Sequence, residues 1–180
     1  MANKIVKYNL TSNGTIPTFI EASVIDTGFA EMIEESKERK VLLAPSCTLF
    51  FHPAIKKIAE ILNSRELGVV SNFLYHSGQY LPDWHNYEDV SEYYVSAKET
   101  GGGREIVPFE LTWITLLLGF PKRVVGFYKK TIEIKGAEHI DDTYNLLMDF
   151  EKSIFNLSVD VVSRNATRRL TINGDKKQLY

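Results

Sequence analysis

The chain has 180 residues, 44% of them hydrophobic and 24% charged, enough to bury a core as one domain or as one domain with an appendage. A formal charge of −2 and a pI near 6.1 argue against nucleic acid or an anionic membrane as partner, since both want a basic face. The single cysteine, Cys47, excludes an intramolecular disulfide, and no charged-then-apolar leader opens the chain, so a cytoplasmic protein is expected.

In chain order, the first half alternates strand and helix. Thr18 to Glu21 is a short β-prone run, and Phe29 to Lys40 places Phe29, Met32 and Ile33 at helical spacing. Val41 to Ala44 is a continuous apolar run of the kind a buried parallel strand shows. Cys47 ends this stretch and reads as a small buried hydrophobe. Pro53 opens a helix at its first position, and Ile55, Ile58, Ala59 and Leu62 make its apolar stripe. This βαβα pattern, residues 1–64, reads as the remnant of a doubly wound, Rossmann-like domain.

From Leu67 the period becomes two. Gly68–Tyr80, Arg123–Ile134, Thr143–Phe150, Ile154–Ser163 and Thr167–Ile172 read as strands, and Asn173-Gly-Asp175 as a turn. Short connections such as Glu151–Ser153 imply antiparallel neighbours. Pro108 is expected to open the one long helix among them, which ends near Gly119-Phe-Pro121. The apolar run within it, Phe109–Phe120, is interrupted by Glu110 and falls well short of the ~20 residues that span a bilayer, so no membrane partner is expected. The expected class is α+β: a βαβα remnant, then over residues 65–180 a large, mostly antiparallel sheet with helices on one face. Tyr144, Leu146, Met148 and Phe150 share one face of that sheet, while Leu147, Val162 and Ile132 leave apolar character on the reverse, which points to a homo-oligomer joined through the open face.

The densest chemistry lies between these parts. Tyr80-Leu-Pro-Asp-Trp-His-Asn-Tyr-Glu88 and Lys98-Glu-Thr-Gly-Gly-Gly103 gather aromatics, a histidine, carboxylates and a triple glycine into one connection. His85 is the candidate proton-transfer or hydroxyl contact, with Asp83 and Glu88 as neighbours able to orient it. Trp84, Tyr80 and Tyr87 offer flat faces for a sugar ring. Arg104 and Glu105 follow at a loop-to-helix junction suited to a sugar acid. The candidate set is therefore His85 and Glu105 as catalytic residues, and Asp83, Trp84, Tyr87 and Arg104 as substrate contacts. His52 reads as a helix cap, His76 as a strand residue on the solvent side and His139 as solvated; no histidine pair has metal spacing, so no metal is expected.

These motifs resemble the Gfo/Idh/MocA oxidoreductase family, whose members carry Tyr-Leu-Pro-Asp-Trp-His-Pro and then Lys-Glu-x-Gly-Gly-Gly. Phe19-Ile-Glu-Ala-Ser23 resembles the family's Phe-Ile-Glu-Lys-Pro, and Cys47-Thr-Leu-Phe-Phe-His-Pro53 its Asn-x-Arg-Phe-His-Pro turn. The resemblance runs from about Lys7 onward. It implies NAD or NADP as cofactor, a sugar, polyol or sugar-acid substrate, and pairing of subunits sheet to sheet. The departures are equally specific. No Gly-x-Gly-x-x-Gly turn is present to hold a pyrophosphate. Ala22 stands at the family's lysine, Ser23 at its proline, Phe50 at its arginine, and Arg104–Glu110 replaces Asp-x-x-x-His. The expectation is thus a chain that binds no cofactor alone: the substrate-binding and dimerisation part of an NAD(P)-dependent sugar or polyol dehydrogenase, its Rossmann half on a separate chain or removed. A non-catalytic sugar-binding or assembly subunit is the alternative, and a purely structural domain the third reading.

Overall fold

A computed structural model describes residues 17–20 and 26–180; Glu21, Ala22 and Ser23 lie outside the described residues. Strands β1 (Thr18–Ile20) and β2 (Leu43–Pro45) pair in parallel, with helix α1 (Phe29–Arg39) between them in sequence. The first half thus has the expected strand–helix alternation, but not its burial. Phe19 is 59% and Leu42 65% exposed, and α1 buries no residue, so this small parallel pair is uncovered where such pairs are normally enclosed by helices.

Helix α2 (Pro53–Ser64) starts on Pro53, whose fixed φ and missing N–H cost nothing at that position. His52 caps it, its Nδ1 accepting from the Ala54 amide at 3.2 Å. Ile55 is buried, and Ile58, Ile61 and Leu62 pack on the main core.

Six strands form the large sheet: β3 (Val70–Gly78), β4 (Arg123–Lys129), β5 (Thr143–Phe150), β6 (Ser153–Asp160), β7 (Thr167–Gly174) and β8 (Gln178–Leu179), in the order β4-β5-β6-β3-β7-β8. All neighbours are antiparallel except β3 and β6. Helix α3 (Gly103–Leu118) and α2 cover one face, and the core between them centres on Phe155, fully buried, stacked on Phe73 at 5.1 Å and set edge-on to Trp113 at 6.2 Å. The structure is the α+β arrangement expected, with helices on one side.

Besides shifts of one or two residues at other ends, three boundaries differ more, each for a physical reason. The helix begins at Gly103 rather than Pro108, because five residues from its start proline removes a single i→i−4 bond and the chain before it is already helical. The strand expected to reach Ile134 stops at Lys129: the buried Asp142 carboxylate accepts from the Thr131 and Ile132 amides at 2.7 and 2.9 Å and pulls the chain into a loop. The strand expected to reach Ser163 stops at Asp160, whose carboxylate takes the Val162 and Ser163 amides at 3.0 and 2.8 Å. Consequently Ile132 lies in a loop and Val162 packs on a second core of Leu81, Val90, Val95, Ile134, Ala137, Ile140 and Val161; neither belongs to the open sheet face. Leu147 does, at 46% exposure.

Phe155→Ala is expected to remove about 3–5 kcal/mol of stability, because four aromatic neighbours, Phe73, Tyr75, Trp113 and Phe150, lose their contact at once; a shift of the denaturant midpoint with unchanged slope would measure it.

Candidate functional site

The connection from β3 to α3 winds through three short 3-10 turns, Leu81–Asp83, Val90–Glu92 and Tyr94–Ser96, each seated on the second core by a buried residue: Leu81, Val90 and Val95. This anchoring presents an aromatic stack. His85 lies between Tyr87 and Tyr93, its ring 5.1 Å from one centroid and 4.7 Å from the other, and its Nδ1 meets Glu88 Oε1 at 2.5 Å. Tyr93 stands edge-on to Tyr94 at 5.9 Å, and the Tyr94 hydroxyl donates to Glu105 Oε1 at 2.6 Å. His85, Tyr87 and Glu105 therefore do belong to one cluster, with Tyr93 and Tyr94 as the link that motif reading passed over.

Two donors in this cluster are buried with no hydrogen-bond partner, Trp84 Nε1 and the Tyr93 hydroxyl. Burial pushes the Tyr93 phenol up, and the carboxylates Glu88 and Glu105 and the Tyr87 phenol add to the shift. Asp83 is exposed on the outside of its turn. Arg104 is exposed too and faces elsewhere, its Nη1 donating to the Glu99 carbonyl at 3.4 Å. Its charge reaches Tyr144, which burial chiefly, with Asp141, raises to about 12 against the lowering effect of Arg104.

The triple glycine is spent on the protein's own backbone. A Cβ on Gly101 would sit 1.9 Å from the Val95 carbonyl oxygen, and one on Gly103 2.7 Å from the Tyr144 ring. The Gly101, Gly102 and Gly103 amides donate to the carbonyls of Ala97, Val95 and Asp141. Close approach is what these glycines permit, but the surface approached is internal.

A second constellation was hidden in the apolar run of α3. Glu110 is fully buried and accepts four hydrogen bonds: from the Tyr75 hydroxyl and the Ser77 hydroxyl, both at 2.8 Å, from Trp113 Nε1 at 2.9 Å and from Arg168 Nε at 3.0 Å. Burial first, and then the Glu110 charge, raise the Tyr75 phenol far above its ordinary value. Concavities open on two sides of this hub. One, of about 440 Å³, runs between α2 and the sheet over Tyr75, Trp113 and Arg168, with His52 and Lys57 on its rim. The other, of about 180 Å³, is lined by Ser77, Gln79, Ile106, Thr167 and Arg168. Among the described residues no group of three or more His, Cys, Asp or Glu is placed to hold a metal ion, and no helix is long and apolar enough to cross a membrane.

Over residues 55–180 the chain matches the model of the GFO/IDH/MocA C-terminal domain, and it belongs to the Gfo/Idh/MocA family of oxidoreductases through that domain. Solved structures share the fold. An oxidoreductase from Agrobacterium radiobacter in complex with NAD+, L-tartaric acid and magnesium is 12% identical, with a TM-score of 0.72 over 88% of this chain and 46% of its own. A protein assigned as an oxidoreductase in Klebsiella pneumoniae is 18% identical, TM-score 0.71, over 90% of this chain and 42% of its own. One assigned as a myo-inositol dehydrogenase in Sinorhizobium meliloti is 15% identical, TM-score 0.68, over 91% and 49%. The chain thus spans less than half the length of these relatives in fold. No curated protein matches the sequence.

Glu110→Ala is expected to cost roughly 3–5 kcal/mol, since it leaves four donors from β3, α3 and β7 without their acceptor. Arg168→Ala should cost less, because that side chain is 54% exposed and the other three donors remain paired. Paired denaturation curves would establish the order.

Proposed function

We propose that this chain is the substrate-binding and dimerisation part of an NAD(P)-dependent sugar or polyol dehydrogenase, with the cofactor-binding half supplied by other polypeptide. The observation that carries the substrate reading is the His85 stack itself, an imidazole held between Tyr87 and Tyr93 with the Glu88 and Glu105 carboxylates around it. A polyhydroxylated ligand would stack on the exposed Tyr87 ring and meet Glu88, Glu105 and His85. In this reading His85 and Glu105 are the groups that hold or move a substrate proton and Trp84 and Tyr87 frame the ligand; Asp83 and Arg104, exposed and turned away, would reach it only if the loop moved. NAD or NADP is the cofactor the family implies, supplying hydride chemistry when bound. Holding it falls to residues outside this chain, a reading supported by the absence of a Gly-x-Gly-x-x-Gly turn in the sequence. The uncovered Phe19, Ile33, Leu42 and Phe51 around the β1–β2 pair offer apolar surface for such a half to cover.

For the same chain, a non-catalytic sugar-binding or assembly subunit is favoured if the bound ligand is never oxidised once a cofactor half is supplied; Phe50 at the family's arginine is what keeps that reading alive.

NMR shift mapping with sugars, polyols and sugar acids tests the site. Shifts are expected to centre on His85, Tyr87, Tyr93 and Glu105. His85→Ala should weaken the ligand about tenfold or more while leaving the remaining spectrum in place. Shifts centred on the concavities beside Glu110, with His85 silent, would move the site there.

The dimer reading rests on the sheet face opposite the helices, where Leu74, Val125, Phe127, Leu147 and Ile154 are between 46% and 76% exposed. Light scattering is expected to give about twice the 20.5 kDa chain mass. Phe127→Asp with Leu147→Asp should return it to a monomer, by placing two charges in a face that pairing would dehydrate; an unaltered monomer mass for the native chain would count against the interface.

A further inference from the structure

At the Gly78 end of the open sheet face stands a polar cluster that the preceding reading does not use. His76 Nε2 and Asp160 Oδ2 are 2.6 Å apart. Asp160, 7% exposed, also accepts from the Val162 amide at 3.0 Å, the Ser163 amide at 2.8 Å and the Ser163 hydroxyl at 3.1 Å. Burial pushes its carboxyl up, but these four donors outweigh burial and hold it below the usual carboxylate range. An ionised Asp160 requires the proton of the dyad on His76 Nε2. In the neutral tautomer Nδ1 is then the ring's open acceptor. The cluster is tight: a Cβ on Gly78 would fall 2.5 Å from Ser163 Oγ, 2.8 Å from His76 Nε2 and 2.9 Å from Asp160 Oδ2, so any side chain there would have to displace members of the cluster.

Two guanidinium groups border the same place. Arg169 is the cross-strand partner of His76 and shares its face, and Arg164 lies flat on the Tyr80 ring, 3.7 Å from its centroid. Neither has a carboxylate within ion-pair distance among the described residues, whereas Arg168, one residue from Arg169, is paired with Glu110 on the opposite face. Between them opens a concavity of about 420 Å³ lined by His76, Ser163, Arg164, Asn165, Thr167 and Arg169. Its donor set is two planar cations with no carboxylate in ion-pair distance among the described residues, and its acceptor, in the neutral tautomer of His76, is one imidazole nitrogen.

We propose that this concavity binds a small oxyanion that carries a neighbouring O–H: a hydroxy-carboxylate or a singly protonated phosphate. The oxyanion lies against the Arg164 and Arg169 forks, which match carboxylate and phosphate geometry. The O–H donates to His76 Nδ1, and Asp160 acts only by fixing which nitrogen is free. Asp160 is thus a positioning residue. The imidazole distinguishes the ligand from a bare carboxylate, which has no proton to give.

The test is titration of the full chain, followed by NMR, with glycolate, acetate and inorganic phosphate near neutral pH. Glycolate and phosphate are expected to shift His76, Arg164 and Arg169, with acetate weaker. Arg169→Gln should weaken glycolate and phosphate by roughly tenfold, and His76→Phe should erase the preference for glycolate over acetate while leaving a residual anion response. Phosphate without glycolate would identify a phosphate-bearing ligand as the source; glycolate without phosphate, a hydroxy acid. Equal responses to glycolate and acetate, or shifts that survive Arg169→Gln and Arg164→Gln unchanged, would overturn the proposal. The Arg169 and Arg164 variants keep the question open to refutation even if a His76 variant misfolds, since both arginines are on the surface.

Discussion

Everything on the helical side of the sheet is referred to one buried carboxylate. Glu110 has no exposure, and an ionised carboxylate in such a place is tolerated only when its lone pairs are met. Its donors come from β3 (Tyr75, Ser77), from α3 itself (Trp113) and from β7 (Arg168). Because those directions converge on one point, α3 has a single rotation and a single height at which all four bonds close. The rotation puts Trp113 against Phe155, and the height puts Gly103 against Tyr144. From there the triple glycine, the 3-10 turns and the His85 stack take their places, since the loop that carries them must end at that helix start.

Much of this was legible in the sequence, and the reason is periodicity. The strands Thr143–Phe150 and Thr167–Ile172, the latter running on to Gly174, and the helix from Pro53 announce themselves by alternation or by a 3.6-residue stripe, and packing agrees with pattern. What was not legible is set by single side chains acting across distance. Asp142 ends β4 from eleven residues away, and Asp160 ends β6 by turning the two residues after Val161 and itself toward its own carboxylate. No local window carries that information. Pro108 misdirects for a related reason: its propensity marks a first turn, whereas the helix starts at Gly103 and the proline removes only one of its bonds.

The candidate site was half legible. Aromatic and polar density marked the loop 80–105, and the structure joins His85, Tyr87 and Glu105 through Tyr93 and Tyr94, two residues whose spacing suggested nothing. Arg104 and Glu105, adjacent in sequence, diverge because consecutive helix positions point about 100° apart. Glu110 did carry a signal. A lone carboxylate in an apolar helical run must be paired if the run is buried, and adjacent Arg168 and Arg169 in an alternating strand must put one arginine on each face. Joined, those two rules pair Glu110 with one of the two arginines.

The same alternation makes the two faces of β7 chemically unlike. Arg168 spends its charge on Glu110 inside the fold, while Arg169, on the other face, keeps its charge beside His76. An open sheet face that is apolar through Leu74, Phe127 and Leu147 and cationic at its Gly78 end is not a uniform sticky surface. A second copy laid on the apolar part by a two-fold axis would bring like charges near one another wherever the two arginine ends approach. Self-pairing then favours an arrangement that keeps those ends apart or places anions between them. If copies pair through this face and the Arg164–Arg169 concavity takes an anion as proposed, the two are linked, since neutralising that end removes the repulsion that restricts the pairing.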